Sequence, residues 1–169
     1  ILFYKEFLEK YPNEPLAQEV QYSLGLVYFN NNSTDLATRY LLSANSSNDE
    51  VLKAKSFTVL GEIELNKGNF KAARNYFELV IANKDLEKSV YNRALLGLGI
   101  SLFNLNDNIT ALKYLNELEN SDPGFESQKL NFFLAENYFA TGNYKSALNN
   151  YNSVSGTDQE INSQTLYGK

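Results

Sequence analysis

The 169-residue chain contains no cysteine and no histidine. Without cysteine there is no disulfide and no thiolate nucleophile, and nothing marks the redox state of the compartment. Without histidine, imidazole acid–base catalysis is gone, and with both absent so is almost every transition-metal site. No apolar run approaches the roughly 18 residues that suggest a membrane-crossing helix. No N-terminal stretch has the order of a secretory signal. A basic surplus is also missing: 15 Lys and Arg stand against 20 Asp and Glu, for a net charge of −5. A general nucleic-acid binder needs a cationic face to displace counterions. The expectation is therefore no nucleic-acid partner, no membrane insertion of this segment, no cofactor, no metal and no catalysis. The chain opens on Ile1 in ILFYKEFLEKYP, which reads as a fragment or processed chain.

What is present is an ordinary globular composition, 43% hydrophobic and 21% charged, with a strong internal period. Four stretches realign, beginning at Tyr22, near Leu60, at Leu95 and at Phe132. Each has a small residue early, at Gly25, Gly61, Gly99 and Ala135, separated by 36, 38 and 36 residues. Each has an alanine twelve residues later, at Ala37, Ala73, Ala111 and Ala147, with the same separations. Two series in step define a repeated unit.

Within each unit the apolar spacing is helical. Phe70, Ala73, Phe77, Val80 and Ile81 share one face, as do Tyr144, Ala147, Leu148, Tyr151 and Val154. Val51, Ala54, Phe57, Leu60 and Ile63 form the buried side of a preceding helix. KGN at Lys67 to Asn69 and TGN at Thr141 to Asn143 each place a left-handed glycine at the end of one helix. The asparagine after it caps the next helix. In the other two units Asn32 and Asn106 stand in the glycine's place. YPNEP, SANSSNDE and SDPGFE separate the units. The small residue on the first helix and the alanine on the second are expected to face each other where the helices cross. At the ends, LFYKEFLEKYP reads as the second helix of a preceding unit, with Tyr4 and Phe7 buried, and EINSQTLYGK as the start of a further first helix.

This pattern resembles the tetratricopeptide repeat. The resemblance rests on Leu60, Gly61, Gly68, Phe70, Ala73, Phe77 and Val80 in the middle unit. In the last it rests on Leu134, Ala135, Tyr138, Gly142, Tyr144, Ala147, Tyr151 and Val154. Leu24, Gly25, Tyr28, Ala37 and Leu41 carry it in the first. The third fits through Leu98, Gly99, Leu102, Ala111 and Leu115, but its turn lacks the usual glycine and aromatic. The units run longer than the usual repeat, and the excess fits in the turns between them. The junction FLEKYPNEPLAQEVQYSLG looks most like bacterial envelope-associated members. The implied fold is all-α, a right-handed solenoid of stacked antiparallel helix pairs. As one array over 1–169 it divides into the second helix of a truncated repeat at 1–12, repeats at 16–47, 49–83, 86–121 and 124–156, and the start of another at 158–169.

The resemblance implies a concave surface, lined mainly by first helices, that holds a peptide or partner segment. Members that grip a C-terminal carboxylate use Lys and Asn at set places. Here those places hold Tyr22, Leu26, Val59, Arg93 and Gly97 or, one unit on, Thr58, Glu62, Gly97, Lys129 and Phe133, and neither set is a clamp. The groove candidates are Tyr22, Leu26, Phe29, Lys55, Glu62, Arg93, Phe103, Lys129, Phe132, Glu136 and Phe139. They fit apolar anchoring with a few orienting charges. Aromatics at helical spacing are usually core, so Phe103, Phe132 and Phe139 also read as inter-helix packing. The carboxylate pairs Glu62 with Glu64 and Glu117 with Glu119 sit two residues apart, diverge on a helix and read as solvated. The Asn-x-Ser/Thr triplets at Asn31, Asn32, Asn45 and Asn108 are expected by accident in so Asn-rich a chain. The function expected is a protein-interaction scaffold within a larger protein. The alternatives are a self-association module or a docking domain of an enzyme lying outside this chain.

Overall fold

The computed structural model describes residues 1–155, which are 77% helical and contain no strand. The sequence expectation for 158–169 lies outside them. The helices are α1 (Leu2–Lys10), α2 (Ala17–Asn30), α3 (Thr34–Ala44), α4 (Glu50–Asn66), α5 (Phe70–Ile81), α6 (Lys88–Asn104), α7 (Asn108–Ser121), α8 (Ser127–Ala140) and α9 (Tyr144–Ser155). Hairpins α2–α3, α4–α5, α6–α7 and α8–α9 make the most extensive helix pairings, and each second helix also packs on the next first helix. First helices touch their counterparts too, α2 on α4, α4 on α6 and α6 on α8. The result is a two-layer right-handed solenoid whose inner layer is α2, α4, α6 and α8.

All four hairpin turns close in the same way. Asn32, Gly68, Asn106 and Gly142 have φ of 57°, 78°, 62° and 80°, the left-handed region where glycine is unstrained and asparagine is the usual substitute. The left-handed residue donates its N–H three residues back, and the next residue donates five back. Gly68 reaches the Leu65 carbonyl at 3.0 Å and Asn69 the Glu64 carbonyl at 2.8 Å, with equivalent pairs in the other three turns. This double closure satisfies two helix-end carbonyls and reverses the chain. Capping is less uniform than the sequence implies. Asn143 accepts from the Ser146 N–H at 3.3 Å, but Asn69 turns its amide to Glu64 at 2.8 Å and caps nothing. Glu64, on the helix just ended, wins that side chain. At the third turn Asp107 does the capping, accepting from the Thr110 N–H at 3.2 Å. Between units, Asp49 accepts from the N–H of Val51 at 2.8 Å and of Leu52 at 3.3 Å and so starts α4. Glu126, which starts α8, is left-handed as well, at φ 41°.

The first-helix glycines have a different partner from the expected alanine. A Cβ on Gly25 would lie 2.7 Å from Leu41 Cγ, and one on Gly61 would lie 2.7 Å from Phe77 Cε1. A Cβ on Gly99 would strike Leu115 in the same way. The facing residue is sixteen positions on in each case, one helical turn beyond the alanine. The glycine is therefore a hole for a large knob, not half of a small-on-small contact. The alanine, on the same face one turn earlier, is fully buried beside it.

The middle unit has the largest of these three knobs, and it needs two holes. A Cβ on Gly97 of α6 would strike the same Phe77 ring, at Cζ, Cε2 and Cε1. The ring is fully buried, held between Gly61 on its own hairpin and Gly97 on the next. The residue two before the small position on the next first helix is Val59, Gly97 or Phe133. The smaller knobs Leu41 and Leu115 sit in clusters with Val59 and Phe133, whereas the phenylalanine faces a glycine. Knob and hole vary together.

Most residues expected on the buried faces are buried, including Ala54, Leu60, Ile63, Ala73, Phe77, Val80, Ala147 and Val154. Tyr4 and Phe7 of α1 are half-buried. Val51 is exposed at the start of α4, and Tyr144 and Leu148 of α9 are 64% and 60% exposed. Leu112, one repeat before Leu148, is half-buried because it packs on the cluster that includes Leu130, Phe133 and Leu134 of α8. Among the described residues no further helix follows α9 to do the same for Leu148.

Two predictions follow from the packing. Gly97→Ala gains about 1 kcal/mol of helix propensity but overpacks against a ring that cannot move, and is expected to lower stability by about 1–2 kcal/mol net. Adding Phe77→Leu should recover most of that loss, so a double-mutant cycle in denaturant should show coupling above about 0.5 kcal/mol. Strict additivity would refute the two-hole arrangement. At the turns, Asn106→Gly and Glu126→Gly should hold or raise the melting temperature, whereas Asn106→Val should cost about 1–2 kcal/mol.

Candidate partner-binding face

The inner helices repeat in register, so equivalent residues stack in rows across the solenoid. The row nearest the helix starts is Glu19, Lys55, Arg93 and Lys129. Further along lie Tyr22, Thr58, Leu96 and Phe132, then Leu26, Glu62, Ile100 and Glu136, and finally Phe29, Leu65, Phe103 and Phe139. A cleft opens across the middle of this face, lined by Glu62 and Leu65 of α4, by Arg93, Leu96, Gly97 and Ile100 of α6, and by Glu126 and Lys129 at α8. Leu96 and Ile100 are each only 4% exposed and form its floor.

Charges bridge adjacent first helices over that floor. Arg93 donates Nε and one terminal nitrogen to the two oxygens of Glu62, at 2.9 and 2.6 Å, a bidentate pair between α6 and α4. Lys55 of α4 reaches Glu87, which precedes α6, at 2.8 Å. Both bridges are partly solvated, so each contributes no more than about 1 kcal/mol. The planar bidentate fork, however, fixes the relative position of α4 and α6. For Arg93, burial opposes the charge, but the bond and the field of Glu62 outweigh it and leave its pKa raised. The Glu87 hydrogen bond likewise raises Lys55. The Tyr22 hydroxyl is raised by burial, against the opposing fields of Arg93 and Lys55, with Glu62 and Glu87 also in reach. Lys129 faces Glu126 at 3.9 Å.

The expected groove residues thus divide. Tyr22, Lys55, Glu62 and Arg93 form one electrostatic neighbourhood, and Glu62, Arg93 and Lys129 share the cleft. Leu26 and Phe29 are half-buried against the Leu24, Leu41 and Val59 cluster. Phe103 meets Phe133 edge-on at 5.6 Å, and Phe132 meets the same ring at 5.3 Å, both half-buried. Glu136 is turned to its own hairpin, where it accepts from the Tyr151 hydroxyl of α9. Phe139 is 58% exposed, with Tyr144 edge-on at 5.5 Å.

Sequence reasoning missed Leu65, Glu87 and Glu126. Leu65 is neither aromatic nor charged, and only its register with Phe29, Phe103 and Phe139 distinguishes it. Glu87 and Glu126 lie at helix starts and read as turn punctuation, although one neutralises Lys55 and the other lines the cleft. Among the described residues no helix is long and apolar enough to cross a membrane, and no group of three or more His, Cys, Asp or Glu is placed to hold a metal ion.

A family model of the tetratricopeptide repeat matches residues 58–124. Among solved structures, the repeat protein MamA of AMB-1, in a P212121 crystal form, superposes with a TM-score of 0.65 over 88% of this chain and 76% of that one, at 19% identity. A search of the curated proteins returns no match. The repeat model falls on the hairpins α4–α5 and α6–α7, with their packing glycines Gly61, Gly97 and Gly99 and the turn residues Gly68 and Asn106, and the solved fold has the same architecture over most of the chain: residues 58–124 match the tetratricopeptide repeat, within a chain of that fold.

Proposed function

We propose that the concave face built by α2, α4, α6 and α8 holds a segment of a protein partner, and that the chain serves as a non-catalytic docking scaffold within a larger protein. The observation that carries this reading is the cleft itself, an apolar floor at Leu96 and Ile100 crossed by fixed charges. Beside that floor the partly open Leu26, Phe29 and Phe103 and the exposed Phe139 give a partner's side chains apolar surface to cover, while paired charges at the rim orient it without demanding a particular terminal group. Tyr22, Leu26, Phe29, Lys55, Glu62, Arg93, Phe103 and Lys129 are the residues we assign to the face, joined by Leu65, Glu87 and Glu126. Phe139 extends it. Phe132 and Glu136 support it through Phe133 and Tyr151. The junction sequence between α1 and α2 favours a bacterial envelope setting.

Photo-crosslinking in the cells that make the protein tests the face. A crosslinking residue at position 26 or 139 should give a discrete protein adduct. One at Leu42 or Leu79, exposed on second helices, should not. Adducts of equal yield from both sets would sink the concave reading. An adduct with the mass of two copies of this chain would replace it with self-association.

A further inference from the structure

The hairpin turns make a second surface, outside the concave face. First helices α2, α4, α6 and α8 end, and second helices α3, α5, α7 and α9 start, along one edge of the solenoid. We propose that this edge rests on an anionic lipid surface, its apolar tips set among the headgroups and its lysines facing their phosphates. The contact is peripheral and needs no helix to cross the bilayer.

Charge separates this edge from the rest of the chain. Segments 27–40, 63–76, 101–114 and 137–150, in repeat register, hold the end of each first helix, the turn and the opening of each second helix. Together they hold six cations, Arg39, Lys67, Lys71, Arg74, Lys113 and Lys145, against three carboxylates, Asp35, Glu64 and Asp107. The remaining nine cations of the chain face seventeen carboxylates. A chain of net −5 therefore has one positive edge. Lys67 is shared with Glu64 and Arg74 with Glu78, each at 3.6 Å. Arg39, Lys71, Lys113 and Lys145 have no ion pair among the described residues, so their charge is available to an outside anion.

Apolar side chains stand on the same edge. Ile109, the second residue of α7, is 79% exposed, more than any other large hydrophobic residue among those described, and belongs to no core cluster. Its register counterparts in the units on either side are Lys71 and Lys145. Tyr144 opens α9 at 64% exposed, and Leu36 lies in the first turn of α3 at 41%. Between the second and third turns, Phe70, Lys71 and Leu105 line an open hollow of about 470 Å³ with the backbone of Gly68 and Asn69. Glu64 also lines it, but Asn69 at 2.8 Å and Lys67 at 3.6 Å engage its carboxylate. An unpaired lysine on an apolar wall suits a phosphate headgroup. The exposed tips stand singly on α3, α7 and α9. A protein interface needs a contiguous apolar core, whereas a headgroup layer closes around separate tips. Nucleic acid would meet the cations and leave Ile109 in water. Affinity for an anionic bilayer adds buried apolar area to the attraction of lysines, and this edge supplies both.

Flotation of the full chain with phosphatidylcholine vesicles, with and without phosphatidylglycerol, tests the edge. The chain should float with the phosphatidylglycerol vesicles, stay behind with phosphatidylcholine alone, and be released as salt is raised. Ile109→Ser, at a position outside the core, should keep the melting curve and weaken binding about threefold. Lys71→Gln combined with Lys145→Gln should weaken it about tenfold. Leu79→Ser, exposed near the other end of α5, should leave binding unchanged. No flotation with phosphatidylglycerol, equal flotation with both vesicles, or binding untouched by the Ile109 and lysine changes would each overturn the lipid contact. A crosslinking residue at position 109 that gives a discrete protein adduct in cells would put a protein in the bilayer's place. Adducts at position 26 report the concave face alone, so either surface can fail without the other.

Discussion

One buried ring sets the geometry of the centre of this molecule. Phe77 lies between Gly61 and Gly97, glycines on two successive first helices, so a single side chain fixes a hairpin and its joint to the next. Burying a phenylalanine is worth about 1.5–3 kcal/mol, which offsets the propensity lost by the two helical glycines, about 2 kcal/mol together. Because the tip of the ring packs against both glycines, sliding α4 past α6 would disturb its contact with at least one of them. That immobility lets Arg93 and Glu62 meet in a bidentate pair, whose geometry tolerates little misalignment.

The joints of the solenoid are not equivalent. The α4–α6 joint has the doubly gripped ring and two charge bridges. The α6–α8 joint relies on Phe103 of α6 packed edge-on against Phe133 of α8, and α2 meets α4 through Leu24 and Val59, with Leu41 of α3 in the same cluster. Each works by size matching at the same register position, with a different pair of residues. A solenoid is stabilised by nearest-neighbour interfaces, so a change in one knob is absorbed by the facing helix and need not spread. This local bookkeeping permits Leu, Phe and Leu at one repeat position in a single chain.

Much of this was legible in the residues. The period, the helix pairs and the left-handed turns at Asn32, Gly68, Asn106 and Gly142 depend on backbone geometry, which glycine, asparagine and apolar spacing report directly. The partner of each small residue was not legible. Ala37 and Leu41 lie on one helical face, one turn apart, and spacing cannot decide which of them enters the glycine's hole. The exposed Leu148 defied its pattern because burial of a second helix depends on the first helix that follows. At the candidate face the residue types were visible, but not their pairings. Arg93 and Glu62 are 31 residues apart, and only the rigid α4–α6 joint brings them together. Glu87 and Glu126 looked like turn residues because their role comes from the helix next door.

The pairing of those charges also bears on what the face can recognise. A free lysine or arginine row would attract any acidic chain, at long range and without discrimination. Here the cations are held by Glu62, Glu87 and Glu126, which removes most of that long-range pull and leaves short-range fit to decide. Fit resides in the apolar row, whose spacing is the spacing of the helices themselves. Glu126 shows the same priority. Its left-handed backbone costs about 1–2 kcal/mol relative to a residue in the right-handed region, yet the position holds a carboxylate that lines the cleft where glycine would be unstrained. The one strained non-glycine, non-asparagine residue among those described thus stands at the rim of the cleft, where backbone strain most often accompanies function.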